Sequence, residues 1–253
     1  MIWKRLLTLL FAAVFCFSAL QFFSIQSEYQ DGKDAYQAIE RNVIVPMPSF
    51  SDREAEETGE KVPISVDFET LIQINPDVVG WIYSEGTPIN YPILKGQDNE
   101  EYLHRMINRQ ENSSGSIFMD QFCDSEFSSL NTILYGHHMK NGTMFASICD
   151  YCKPGYYEEH PFFWILTSEK EFRVDVLAGM MVYSNDDLYV LCENRKDLEQ
   201  ILERAQKESV FQSDAWQKQE KISQVVTLST CIYEQQDARF VLIGSMEENS
   251  LKK

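Results

Sequence analysis

Cys231 ends an apolar run, Val225–Thr230, and Arg239 opens another, Arg239–Gly244. The polar connection between them, Glu234–Asp237, is short enough to make the two runs antiparallel neighbours. That pairing sets a thiol and a guanidinium near each other at one end of the ladder. The chemistry on offer is nucleophilic attack beside a fixed cation. The thiolate is the nucleophile, and an isolated cysteine, with a pKa of about 8.5, is mostly protonated at neutral pH, so a base or cation must stand close. A candidate base is His137, which follows a third apolar run, Thr132–Tyr135, in NTILYGHHM. Its neighbour His138 would point to the opposite side if the strand continued through both. Ser229, two residues before Cys231, shares its strand face and could bond substrate or the arginine, or simply be a satisfied strand hydroxyl. Ser229 and Thr230 are the candidate substrate-binding residues.

Taken together, TLSTC at 227–231, Arg239 eight residues on and YGH at 135–137 resemble the sortase signature, in its class B version. Further text similar to class B lies at INPDVVGWIYSEGTPINYPILKGQDNEEYL (74–103), GSIFMD (115–120) and HMKNGTMF (138–145). The resemblance spans Asp67 to Met246. It implies a membrane-anchored cysteine transpeptidase that cleaves a C-terminal sorting signal of surface proteins after threonine through a thioacyl-enzyme. Cys231 would be the nucleophile, His137 the acid and base, and Arg239 the partner of the oxyanion. Position after Tyr135-Gly136 gives the histidine role to His137 and leaves His138 a rim or loop residue. His104 and His160 have no supporting context and read as exposed or structural. The implied partners are NPxTN-like or SPxTG/PPxTG-like signals and an amine of the peptidoglycan cross-bridge. No metal or organic cofactor is implied.

The elements that must position these residues read as mainly β. Asp67 can cap a short helix through Ile74, which Asn75-Pro76 stops. Strands are expected at Val79–Tyr83, Ile89–Leu94, Gly115–Met119, Phe162–Leu166, Glu171–Tyr183 and Tyr189–Leu191. Helices are expected at Asn99–Ile107, Thr143–Tyr151 and Arg195–Glu208, the last with a stripe of Leu198, Ile201, Leu202 and Ala205 that reads as core packing. Many strands without βαβ alternation suggest a mixed or antiparallel barrel. The resemblance narrows this to an eight-stranded sortase-type β-barrel with peripheral helices, Arg195–Glu208 being the helix inserted before the cysteine strand.

The chain of 253 residues, 44% apolar and 13% aromatic, allows one sizeable domain plus appendages. Leu6–Ile25 is an uncharged run of 20 preceded by Lys4 and Arg5, long enough to span a bilayer with a cytoplasmic N-terminus. A retained anchor is favoured over a cleaved signal peptide, whose site would here be a poor Ser18-Ala19. Beyond residue 26 the chain holds 20 basic and 39 acidic residues. That balance argues against a nucleic-acid partner, which needs basic patches. Tyr36, Ile39 and Val43 fall at helical spacing, so Glu28–Val43 reads as a helix against the domain. Pro46, Pro48 and SDREAEETGEK read as an exposed tether or a tolerated insertion. The organisation expected is an anchor over 1–26, a helix and linker over 27–65, and a catalytic domain over 66–253.

Cysteines test the rival chemistries. Cys149-Asp-Tyr-Cys152 invites a zinc or redox reading, yet no second CxxC exists and His160 is the one histidine close downstream, so four ligands are not evident. Two small residues packed on a helix, or a local disulfide, is the plainer reading. A pilus-polymerising or pilus-anchoring sortase would share the site residues. That class carries an Asp-Pro-aromatic lid, which Pro76-Asp77-Val78 is not, and often a C-terminal membrane helix, whereas this sequence closes on ENSLKK. A secreted cysteine peptidase would need no amine acceptor. A non-catalytic surface binding domain would not need the Cys, His and Arg set.

Overall fold

The computed structural model describes residues 2–46, 61–190, 192–233 and 237–249. The tether expected after Pro46 and most of the Glu234–Asp237 connection lie outside them. The chain opens with one continuous helix, α1 (Ile2–Val43), that joins the apolar run and the Glu28–Val43 segment without a break. Its first part, Trp3–Ile25, has its large apolar side chains exposed and is long and apolar enough to cross a membrane. From Glu28 onward it docks. Tyr36, Ile39 and Val43 are buried, the Tyr36 hydroxyl donates to the Gly115 carbonyl (2.6 Å), and the Glu28 carboxylate accepts the Ser113 amide (2.8 Å). Gly32 is required here, because a Cβ would stand 2.7 Å from Ser114 Oγ. The helix leads into β1 (Ile44–Pro46), which pairs antiparallel with β2 (Ile64–Val66).

The barrel follows. Asp67 caps α2 (Phe68–Ile74) by accepting the Thr70 amide, and Asn75 ends it in extended conformation. Eight strands close on themselves: β3 (Val78–Tyr83), β4 (Asn90–Leu94), β5 (Ile117–Met119), β6 (Asn131–Tyr135), β7 (Phe162–Leu166), β8 (Glu171–Tyr183), β9 (Val225–Cys231) and β10 (Ala238–Glu248). Their order around the barrel is β10-β8-β7-β3-β4-β5-β6-β9. The β4–β5 and β6–β9 pairs are parallel and the rest antiparallel. Closure gives every barrel strand a neighbour on both sides, while the two-stranded β1–β2 sheet stays separate from it.

The two faces of β9 and β10 go to different cores. Val226, Leu228, Phe240 and Leu242 pack in the main barrel core. The short helix α3 (Tyr156–Glu159) precedes β7, and Val225, Val241 and Ile243, on the other face of β9 and β10, pack under α4 (Arg195–Glu208) through Leu198, Leu202 and Ala205. Each fully buried leucine contributes up to about 1.5–3 kcal/mol by leaving water. Asn194 and Asp197 form a capping box that fixes where α4 starts.

Three expected elements differ. Asn99–Ile107 is a run of turns instead of a helix. The carbonyls a helix would need are taken elsewhere: Tyr102 by the Ser116 amide, His104 by the Asn112 amide and Arg105 by the Ser116 hydroxyl. Asp98 also captures the amides of Glu100 and Glu101. Tyr189–Leu191 is not a strand. Asp187–Tyr189 forms a 3-10 turn capped by Asp186, and residue 191 lies outside the described residues. Helical structure expected from Thr143 begins only at Ala146, as a 3-10 helix to Cys152, because Asn141 Oδ1 holds the Thr143 amide and hydroxyl.

Candidate active site

The site is built by register. In the antiparallel β9–β10 pair Cys231 stands directly opposite Arg239, and Ser229 opposite Val241. In the parallel β6–β9 pair Tyr135 stands beside Ser229. His137 and Cys231 each lie two residues further along, so the parallel register carries both to the same end of the pair, where they line one cavity. All three residues are half-buried. With Ser229 and Thr230 they line one cavity of about 250 Å³, on the face of β9 that α4 covers lower down. The helix before the cysteine strand thus seals the lower part of the face and leaves its upper end open.

Gly136 is the joint. Its amide donates to the Ser229 carbonyl (3.1 Å), and its carbonyl accepts the Thr230 hydroxyl (2.8 Å). Thr230 therefore holds the His137 segment against β9 with its own side chain. The Ser229 hydroxyl shares a hydrogen bond of 2.8 Å with Tyr189 OH, so its partner is a tyrosine and not Arg239. The Tyr189 ring stacks on Tyr135 at 6.1 Å, and the Tyr135 hydroxyl donates to Asp120 (2.9 Å). Burial chiefly raises the pKa of Tyr189, while its Ser229 bond and the Arg239 charge oppose that rise.

His137 Nε2 lies 2.7 Å from the Leu103 carbonyl. A carbonyl only accepts, so Nε2 carries the proton and Nδ1 is the nitrogen left to exchange one. The proton affinity of His137 lies below the ordinary value, first through burial and then through the nearby His104 and Arg239 charges, with the Leu103 bond opposing. The shift favours the neutral ring, the form that can accept a proton, and makes the charged ring the stronger acid where it forms.

Sequence reasoning missed Leu103, His104 and Tyr189. Leu103 and His104 were hidden by the helix expected over Asn99–Ile107, in which the Leu103 carbonyl would bond its own backbone. The turn exposes it to His137. The strand expected over Tyr189–Leu191 hides Tyr189, which the 3-10 turn instead aims at Ser229. His138 does not enter the cavity lining: its Nδ1 meets the Cys231 carbonyl (3.0 Å) and stands 3.6 Å from Cys149 Sγ. Cys149 and Cys152 sit on the 3-10 helix Ala146–Cys152, and His160 packs on Tyr156, away from the cavity lining.

Comparison with known proteins gives a consistent set. No family model matches the chain. Sortase B of Staphylococcus aureus is 35% identical over 183 residues, covering 71% of this chain and 74% of that protein. Sortase B of Listeria monocytogenes is 30% identical over 246 residues, covering 95% of each. The structure of a Staphylococcus aureus sortase B–substrate complex superposes with a TM-score of 0.71 at 30% identity, over 88% of this chain and 99% of that one.

Proposed function

This chain belongs to the sortase B family and is a sortase-type cysteine transpeptidase, and on that premise we propose how the cavity works and on what. The observation that carries the reading is the double register of β9, which sets Arg239 opposite Cys231 and brings His137 alongside. The Cys231 thiolate attacks the carbonyl of threonine in a C-terminal sorting signal. The C–N bond breaks as His137, charged, hands the Nδ1 proton to the leaving amine, and a thioester remains. Neutral His137 then removes a proton from an incoming amine of cell-wall peptidoglycan as that amine attacks the thioester, and the thiolate leaves. Arg239 offers N–H groups to the oxygen that becomes negative in both halves. Ser229 and Thr230 line the floor on which the threonine end of the signal rests, Ser229 through its shared bond with Tyr189 and Thr230 by steadying Gly136. A sortase B relative has been solved in complex with its substrate, which supports a sorting-signal substrate for this cavity; the NPxTN-like or SPxTG/PPxTG-like form proposed for it comes from the resemblance of TLSTC and YGH to class B.

The same proposal extends to the whole chain. Residues 1–26 anchor it with the N-terminus in the cytoplasm, the docked remainder of α1 seats the domain next to that anchor, and 66–253 act outside the cell. The exposed apolar half of α1 supports the anchor. The test is intact-mass analysis of the full chain in detergent micelles with a panel of threonine-containing sorting peptides, with and without triglycine. A peptide adduct on wild type, absent from Cys231→Ala and resolved by triglycine into a ligated product, is the expected result. Turnover by Cys231→Ala would sink the proposal.

A further inference from the structure

His104 belongs to the turn segment that brings Asn99, Glu100 and Leu103 to the cavity rim. Its own carbonyl is fixed by the Asn112 amide (2.9 Å). Although exposed, its imidazole stacks on that of His137, with centroids 5.4 Å apart and planes 17° from parallel. Two successive residues thus hold His137, Leu103 through Nε2–H (2.7 Å) and His104 across the ring face. One hydrogen bond fixes one nitrogen but lets the ring rock about that bond. Contact across the face removes that freedom.

We propose that His104 is a positioning residue for His137, fixing the plane of the imidazole and coupling its charge to the cleft beside the cavity. The inference rests on the reading of His137 as the acid–base group. Two imidazoles in face contact resist being charged together. The titratable groups that share the cavity with His137 are Arg239 from β10, Cys231 from β9, Tyr135 from β6, Tyr189 from the 3-10 turn and Glu100 from the turn segment, and His104 lies on its ring face. His104 in turn lines a cleft of about 410 Å³ walled by Asp98, Glu100, Glu101, Arg105 and Glu111, with Glu101 paired to Arg105 at 3.6 Å. Glu100 lines both cleft and cavity. A charge taken up on the exposed ring is therefore felt on the half-buried one, in the direction that lowers its proton affinity.

The test uses the full chain in micelles with isotopically labelled histidine, which gives four histidine signals to follow by NMR as pH is varied. Wild type, His104→Phe and His104→Ala are compared, with kcat and KM for peptide-to-triglycine transfer measured over the same range. Phenylalanine keeps a flat ring and removes the charge, so the His137 midpoint moves up, the limb of the rate profile that coincides with it follows, and kcat at the optimum stays within about twofold. Alanine removes ring and cover, so the midpoint moves up further and kcat falls about tenfold with KM little changed, as a loosened reacting group requires. An unmoved His137 midpoint in both variants, or a kcat in His104→Phe as low as in His104→Ala, overturns the proposal. Unimpaired turnover by His137→Ala would instead remove the active-site reading and leave the NMR comparison of the stacked pair standing.

Discussion

Replacing Gly136 by alanine tests the whole construction of the site at its tightest point. A Cβ at Gly136 would lie 2.5 Å from Ile117 Cδ1 and 2.7 Å from two ring atoms of Phe145, where ordinary contact begins at 3.4 Å. Both neighbours are 0% exposed, so neither can swing into solvent. Thr230 and the Ser229 carbonyl pin the segment from the other side. The backbone must therefore open by about 0.7–0.9 Å, a forced overpacking that costs about 1–3 kcal/mol. For a domain of this size that lowers Tm by about 2–12 °C. His137, the proposed acid–base group, is the next residue, and displacing a reacting group by about 1 Å costs about 100-fold in rate, so kcat/KM for peptide-to-triglycine transfer is expected to fall by about that factor. Gly142→Ala is the control: its Cβ meets nothing within 4 Å, so only the strain of a positive φ, about 1–2 kcal/mol, should register, with little loss of rate. Ile117→Val removes the nearest clashing atom. It should cost about 0.5–1.5 kcal/mol alone and less in the Gly136→Ala background. Wild-type Tm and rate for Gly136→Ala, or a double mutant additive within about 0.5 kcal/mol, would refute the reasoning.

Three further outcomes are expected. Arg239→Lys keeps the charge and loses the fork, so kcat should drop about 100- to 1000-fold while Tm stays near wild type; a loss confined to KM would argue that Arg239 only docks the peptide. Tyr189→Phe and Ser229→Ala each remove one side of the 2.8 Å hydroxyl pair, at about 1 kcal/mol each, and their double mutant in thermal melts should cost clearly less than the two together. Asp186→Asn breaks the paired contact with Arg204 (2.5 and 2.8 Å) that ties α4 to the turn bearing Tyr189. The Arg204 hydrogen bonds, opposed by partial burial, hold the Asp186 carboxyl below the usual range. A depressed carboxylate stabilises fully above its unfolded value of about 3.9, and that contribution is lost as pH falls through the folded value. Wild type should thus lose Tm on acidification below about pH 4 by a component that Asp186→Asn lacks, while near neutrality the variant should be less stable by about 1–3 kcal/mol. Identical Tm–pH curves would dispose of this assignment.

The sequence by itself determined what is local or carried by pattern. The alternating apolar runs of β9 and β10, with few residues between them, force antiparallel pairing and put Cys231 opposite Arg239. The stripe Leu198, Leu202 and Ala205 behind a capping box makes α4, because its spacing can be buried on one side only. The resemblance of TLSTC and YGH supplied the barrel, which no periodicity gives, since closure is a property of eight strands at once. Tertiary structure alone decided the rest. The parallel pairing of β6 with β9 joins stretches some ninety residues apart in the chain, and nothing in either strand announces its partner. Asn99–Ile107 has helical spacing, yet Ser116 and Asn112 claim its carbonyls from outside. That competition releases the Leu103 carbonyl to His137 and lays His104 on the imidazole. Propensity governs a segment only while its backbone groups have no better partner, and here the better partners are distant in sequence.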